Sequence, residues 1–519
     1  MTAFKDIALL TSASVLLACG PDNAERAETV SDTGSSVSVA KPAGEIAGTN
    51  ERPNVILLVA DDLGWADLGF RGSDIKTPHI DRLAAEGARL ERFYAMPICT
   101  PTRSALMTAR DPIKLGTAYA GFQPWQNGGV APQEHFMPES FKAAGYQTAM
   151  VGKWHLGHTI EQHVPNARGF DYFLGHLNTQ IDYNDYTVAK GYDLQLNGKS
   201  LKGETRYATD LHGDEAARYI RKVRDPEKPF FLYVPYLAPH SPMQAPKELE
   251  DKYSHRRNIP ATKRTYAAMV DSLDQNIGKV LLALDENGLS ENTIVMFFSD
   301  NGGLEAFGKL ETFEGGVRVS ALLRWPARIA GGSSTDDVVS VLDVFPTIAK
   351  AANIEMGASK PLDGQDRWDA IVTDDVQSRS GDLYFASNSP ILDKYHVSVM
   401  EERWKLVQII DHQSASTKVE TFLFDLPADP GEAINLADEN PEIVDRLSEK
   451  IRKWRAQHPI NGVRVALAPH PGWRAPLDYA DSVIPADSLQ EEGFDNYVSG
   501  MRARILQKRH GDKGRLSYE

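Results

Sequence analysis

The sequence predicts an α/β protein: a mostly parallel sheet sandwiched by helices, then a smaller C-terminal α+β subdomain with an antiparallel sheet. Three observations predict it. Short unbroken apolar runs recur at Asn54–Ala60, Thr148–Val151, Phe230–Pro235 and Thr293–Ser299, the texture of strands buried on both faces. Helical stretches lie between them, and strand–helix alternation builds parallel sheets by crossover. After about residue 380 the texture changes to closely spaced short strands, at Leu383–Ser387, Tyr395–Met400 and Trp404–Ile410.

In chain order, residues 7–18 (IALLTSASVLLA) are apolar but too short to span a bilayer comfortably. With Lys5 ahead of them they read as the apolar core of an export signal, residues 1–18. The signal ends in Leu16-Leu17-Ala18-Cys19, which resembles the lipobox of bacterial lipoproteins; the plain alternative is an ordinary secretory signal cleaved near Ala18. In those proteins the cysteine is lipidated, which implies an exported periplasmic or cell-surface lipoprotein whose only membrane contact is its lipid. Residues 19–51 are small and polar and read as a flexible linker reaching roughly 30 Å. A catalytic region is expected over 52–380, and a C-terminal subdomain and tail over 381–519. Thr77-Pro78 opens a helix, with Thr as N-cap and Pro at N1, and Gly87 closes it. An amphipathic helix is expected from about Thr265 to Asn287. Further helices are expected at Pro441–Gln457 and Tyr497–Gln507.

The net charge of −15 argues against nonspecific nucleic-acid binding, which needs a broad basic surface. An anionic substrate would need a locally positive site. The chain has two cysteines, Cys19 and Cys99. Each has a separate role in this reading, so no disulfide is expected.

Polar clusters follow the expected strands, where open α/β sheets bind ligands. Asp61-Asp62 follows the first strand. Lys153 and His155 follow the second, within Gly152-Lys153-Trp154-His155-Leu156-Gly157. His240 follows the third, and Asp300-Asn301-Gly302-Gly303 the fourth. Taken singly, an Asp pair is a helix cap or turn and a His is a surface residue. Four such clusters at four strand ends point to one site. Lys153 and His155 are two apart, so in extended backbone they face the same way. Asp61, Asp62, Asp300 and Asn301 offer only oxygen donors, which suit Ca²⁺ or Mg²⁺ and not zinc.

The sharpest motif is Cys99-Thr100-Pro101-Thr102-Arg103. C-x-P-x-R at a given cysteine arises by chance on the order of once in 400. A helix is expected after Pro101, which puts Cys99 at an N-terminus suited to an anion. The plain alternative is a buried structural cysteine before a helix.

With these motifs the chain resembles a type I sulfatase of the alkaline-phosphatase superfamily, from about Pro53 to Ala437. The likeness runs through Asp61-Asp62, C-T-P-T-R, G-K-W-H-L-G, His240 and D-N-G-G. It continues through Lys309 with Phe313-Glu314-Gly315-Gly316, Leu423-Phe424-Asp425-Leu426, Asp429-Pro430-Gly431-Glu432 and Asn435-Leu436. Thr77-Pro78-His79-Ile80-Asp81 and the Cys99 region most resemble the arylsulfatase B (N-acetylgalactosamine-4-sulfatase) branch.

The resemblance implies an alkaline-phosphatase-like fold and Cys99 oxidised to formylglycine (3-oxoalanine) by a separate formylglycine-generating enzyme. It implies one Ca²⁺ held by Asp61, Asp62, Asp300, Asn301 and the modified Cys99. The hydrated aldehyde attacks sulfur, and the sulfated hemiacetal then expels sulfate. Asp300 is the expected base for the attacking hydroxyl, and Arg103 holds the diol. Lys153 and Lys309 bind sulfate. His240 or Lys309 protonates the leaving alcohol, and His155 takes the proton of the second hydroxyl.

The expected substrate is a sulfated sugar or oligosaccharide, galacto-configured and sulfated at O4, cleaved in exo fashion. The segment Phe170–Tyr192 offers aromatic faces and polar groups for it, with His176 and Asp182 as candidate contacts; the plain alternative is a polar surface loop whose aromatics pack on the domain. The competing functions are a phosphoester or phosphonate monoester hydrolase of the same superfamily, and a noncatalytic lipoprotein that binds sulfated glycans.

Overall fold

A computed structural model describes residues 52–486, apart from 257–259, 305–307, 374–378, 390–393, 402, 412–417 and 467. The export signal, the linker and the expected Tyr497–Gln507 helix lie outside the described residues. Among the described residues no helix is long and apolar enough to cross a membrane.

A ten-stranded sheet carries the fold. Its spatial order is Ser333–Ser340, Ala88–Tyr94, Ala321–Arg324, Thr293–Ser299, Asn54–Ala60, Phe230–Pro235, Gln147–Lys153, Tyr172–His176, Gln195–Leu196, Lys199–Ser200. The run from Thr293–Ser299 to Tyr172–His176 is parallel throughout. Ala321–Arg324 runs antiparallel to both its neighbours. Asn54–Ala60 is fully enclosed because its side chains alternate between two cores. Val55, Leu57 and Val59 pack on one face with Phe93, Phe298 and Phe345. Ile56, Leu58 and Ala60 pack on the other with Ile277 and Val280 of the Ala261–Glu286 helix.

The four expected core strands are present, and Thr148–Val151 extends to Gln147–Lys153. Thr77 occupies the N-cap and Pro78 follows it at N1. The Thr77 hydroxyl does not cap the helix, however; it accepts from Gly69 N and donates to Asp81. Asp274, from the long helix, accepts the free N–H groups of His79 and Ile80 instead.

The C-terminal sheet is four-stranded and antiparallel: Leu383–Ser389, Lys394–Glu401, Trp404–Asp411 and Lys418–Asp425. The Pro441–Arg455 helix packs on it through Leu447, Ile451 and Trp454. Phe385, Val407 and Phe424 of this sheet share one core with Phe313 and Phe345.

Candidate active site

Because the central strands are parallel, their carboxyl ends lie along one edge, and the polar clusters meet there. Asp61 and Asp62 follow Asn54–Ala60, Asp300 and Asn301 follow Thr293–Ser299, and Lys153 ends its strand. Cys99 begins the helix Cys99–Thr108, every residue of which is buried. The glycines of the motifs permit this crowding. A Cβ at Gly152 would strike the carbonyl of Pro235, and one at Gly302 would strike the carbonyl of Gly315.

Cys99 Sγ lies 3.3 Å from Asp61 Oδ1 and 3.5 Å from Lys309 Nζ. Lys153 Nζ reaches Asp61 Oδ2 at 2.5 Å, and Lys309 Nζ reaches Asp62 Oδ1 at 2.6 Å. Asp61, Asp62, Asp300, Asn301, Arg103 and Lys153 are all buried to within 1% exposure, so these charges act with little screening from water. Burial alone would raise the Asp61 carboxyl; Lys153, with His240, Arg103 and Lys309, holds it well below the usual carboxylate range. Burial and the neighbouring Asp61 push Asp300 up to about 6. Burial, with Asp300 and Asp61, pushes the Cys99 thiol far above its ordinary value. Burial opposes the Lys309 ammonium, but Asp62, with Cys99, Asp61 and Asp300, together outweighs it and raises the amine above its ordinary value.

The two histidines are held by carbonyl groups, which can only accept. His155 Nε2 therefore donates to Phe122 O at 3.1 Å, and its Nδ1 is left as a buried lone pair with no partner. His240 Nδ1 donates to Ser241 O at 2.6 Å, and Nε2 lies 3.7 Å from Asp62 Oδ2. Burial and Lys309 bring His240 down to about 4. His155 is also lowered, by burial and then by Lys153 and Arg103. Asp62 and His155 both have left-handed backbone, at φ 68° and 60°, a conformation costly for such residues and concentrated at functional sites.

All ten catalytic and metal-site candidates therefore fall in one place. Four details differ from the sequence expectation. His155 is not in extended backbone, so alternation does not explain its aim; the left-handed turn does. Arg103 directs its guanidinium to Asp300 Oδ2 at 2.8 Å and to Lys153 O at 2.9 Å, which engages it with the chain itself. His176 is fully buried and stacks on His212 at 6.1 Å, so it cannot meet a sugar in this position. Asp182 accepts from the N–H groups of Asn184 and Asp185 and from Gln244 Nε2, which makes it the pivot of a turn and not a free ligand contact.

Sequence reasoning missed three supports. Tyr183, fully buried, donates to His240 O at 2.8 Å. Phe122 acts through its backbone carbonyl, for which no side-chain pattern exists. Lys405, buried in the second sheet, pairs with Glu314 at 2.8 Å and Glu432 at 2.9 Å. It ties that sheet to the turn that follows Lys309. A lysine directly before the apolar pair Leu406-Val407 of the Trp404–Ile410 run was the available sign.

A buried nucleophile position between carboxylates and ammonium groups, at the strand ends of a parallel sheet, defines a hydrolase for an anionic ester. A family model described as Sulfatase matches residues 53–354. Another, described as N-sulphoglucosamine sulphohydrolase, C-terminal, matches residues 302–457. Arylsulfatase J of Mus musculus is 33% identical over 469 residues, covering 80% of this chain and 77% of that protein. N-acetylgalactosamine-6-sulfatase of Mus musculus is 32% identical over 457 residues, covering 78% and 85%. The solved structure of Ps i-CgsB in complex with k-i-k-neocarrahexaose is 33% identical, with a TM-score of 0.71, covering 79% of this chain and 94% of that one. The chain belongs to the sulfatase family, with its alkaline-phosphatase-like fold, and is a sulfuric ester hydrolase.

Proposed function

We propose that the protein is an exo-acting sulfatase for sulfated carbohydrate, preferring a galacto-configured unit sulfated at O4, and that it works with one Ca²⁺ and with Cys99 converted to formylglycine. The observation that carries this reading is the convergence on Cys99 of Asp61 at 3.3 Å and Lys309 at 3.5 Å, at a buried helix start. Two relatives support a sugar: one is named for N-acetylgalactosamine, and the other is solved with an oligosaccharide. The O4 preference rests on the resemblance of the Thr77–Asp81 and Cys99 segments to the N-acetylgalactosamine-4-sulfatase branch.

The donor set fits a hard divalent cation. Asn301 Oδ1 is buried without any partner, beside three carboxylates. Such an acceptor is costly unless a cation or donor meets it. Donor atoms of Asp61, Asp62, Cys99 and His240 lie within 4.8 Å of one another, while Asp300 leans on Arg103. We assign Asp61, Asp62, Asp300 and Asn301 as the holders of the ion, because oxygen donors match calcium better than His240 does. When bound, the ion supplies positive charge that acidifies a hydroxyl and offsets charge on a sulfate oxygen. Hydrated formylglycine supplies a hydroxyl nucleophile, which the strongly protonated Cys99 thiol cannot replace.

The remaining roles belong to the chain's own side chains. Lys153 and Lys309 bind sulfate oxygens. Asp300 takes the proton of the attacking hydroxyl. Arg103 holds Asp300 and the end of the Lys153 strand in register. His155 Nδ1 accepts the proton whose loss releases sulfate. The proton for the departing alcohol is assigned to Lys309, whose Nζ lies beside Cys99, because the His240 tautomer leaves Nε2 as an acceptor. We also infer export and a lipid anchor at Cys19, from Leu16-Leu17-Ala18-Cys19; Cys19→Ser would then end labelling by a fatty-acid analogue.

The test is direct. Intact mass should show a species about 18 Da below the cysteine form, the exchange of S for O and the loss of two hydrogens. The same sample should turn over 4-sulfated galactose or N-acetylgalactosamine units faster than 6-sulfated ones, and aryl sulfate faster than aryl phosphate. Faster turnover of the phosphate would overturn the reading.

A further inference from the structure

The segment 459–486 crosses the wall of the site. Val463 N donates to Gly116 O, Trp125 Nε1 to Ala466 O at 3.0 Å, and Gln126 Nε2 to Arg464 O at 2.7 Å. Ile484 and Asp478 then bridge to Ile160 and Tyr192. The wall it fastens, around 116–130, is the one that touches the chemistry. Phe122 O holds His155, and a Cβ at Gly121 would lie 2.9 Å from Thr100 Oγ1 and 3.0 Å from His155 Cε1. Trp125 is three residues beyond Phe122, so its Cα is within about 11 Å of it.

The strap brings a second indole there. Trp125 and Trp473 meet edge to face at 6.0 Å, and both remain partly exposed. Arg464, His470 and Arg474 are exposed on the same short stretch. Among the described residues neither arginine has a carboxylate partner; Arg474 donates only to Trp473 O. In a chain of net charge −15, two unpaired arginines beside an open indole pair form a local positive, aromatic surface. That combination suits a sugar chain bearing anionic groups: flat faces for the rings and guanidinium forks for sulfate.

We propose that Trp125, Trp473, Arg464 and Arg474 form a distal subsite for a sulfated oligosaccharide, which holds a sulfated unit beyond the one being cleaved. This rests on the sulfatase reading above and deepens it: the substrate is a chain with more than one sulfate, engaged by the C-terminal strap as well as by the pocket. Such a subsite contributes only when the substrate is long enough to reach it.

The experiment compares kcat/KM on 4-nitrophenyl sulfate, a monosulfated galactose and a sulfated galacto-tetraose. For the wild type, the tetraose should exceed the monosaccharide by about tenfold, mostly through KM, the size expected of one stacking contact with one ion pair. Trp473→Ala and Arg474→Gln should each lower the ratio of tetraose to aryl-sulfate kcat/KM by about fivefold, with added salt eroding the arginine's share. Arg474 is exposed, so its variant keeps the test sound if Trp473→Ala disturbs the strap. A wild type indifferent to chain length, or variants that leave the ratio unchanged, would overturn the subsite while the aryl-sulfate rate still upheld the sulfatase. A wild type inactive on every sulfate ester would overturn both.

Discussion

Two of the buried ionic networks among the described residues are built to opposite ends. At the junction of the two sheets, Lys405 is fully buried between Glu314 and Glu432, and Tyr94 donates to Glu314 at 3.1 Å. Burial opposes the Lys405 ammonium, but the two glutamates outweigh it and hold its proton. This network closes on itself. At the strand ends, Asp61, Asp62 and Asp300 face Arg103, Lys153 and Lys309, yet Asn301 Oδ1 and His155 Nδ1 remain buried without partners. Like charges are buried together there, and burial, with the Asp61 charge beside it, raises Asp300 to about 6. A closed network serves the fold; an open one keeps a place for ions that the chain does not supply.

If the open network serves chemistry, its loss should cost rate and not stability. Cys99→Ala should lower kcat/KM on sulfate esters by at least about a thousandfold. Its unfolding free energy should shift by only about 1 kcal/mol, since one small buried group is lost. A melting point far below the wild type would make Cys99 a structural residue and dissolve the contrast.

Removing the cation tests the orphan acceptor. Chelation should abolish turnover, with Ca²⁺ restoring it better than Zn²⁺. Calcium at a hundred times its Kd should stabilise the wild type by about 2.7 kcal/mol. Asn301→Ala should weaken the calcium response by about tenfold or more in Kd, read by calorimetry. A chelated sample that keeps its rate would break the assignment.

The closed network should answer the other way. Lys405→Met leaves two glutamates buried without their cation, so unfolding should become easier by about 3–5 kcal/mol. The variant, assayed where it is still folded, should keep its calcium response. A thousandfold loss of kcat with unchanged stability would show that Lys405 acts on the Lys309 turn and not on the fold.

How much of this was readable beforehand follows from where each residue's partners lie. Strands enclosed on both faces leave unbroken apolar runs, so Asn54–Ala60, Phe230–Pro235 and Thr293–Ser299 were plain. Ala88–Tyr94 was not, because Arg89 and Glu91 interrupt it and pair with each other at 3.1 Å. Ser333–Ser340 hides behind Asp337, which is buried only because Arg367 neutralises it. The site residues were readable because parallel strands deliver their carboxyl ends to one edge. The aim of His155 was not, since it depends on a left-handed backbone and a carbonyl from Phe122. Composition also misled: the aromatic and polar density of Phe170–Tyr192 is the same whether its side chains face solvent or, like His176 and Tyr183, the interior.

Asp182 gives the mildest test, and it bears on that last point. Its carboxylate accepts from Asn184 N at 2.9 Å, Asp185 N at 3.1 Å and Gln244 Nε2 at 2.7 Å. Gln244 in turn accepts from Tyr183 N, and Tyr183 holds the His240 carbonyl. Asp182 thus reaches the site only through a chain of supports, like Lys405 and unlike Cys99. Asp182→Ala should cost about 1 kcal/mol of stability, the worth of a lost turn cap. Any loss of rate should come through His240 and so fall equally on a sulfated sugar and an aryl sulfate. A rise in KM confined to the sugar would instead return Asp182 to the substrate surface. It would mean that the sugar meets the one lone pair of the half-buried carboxylate that those three donors leave open.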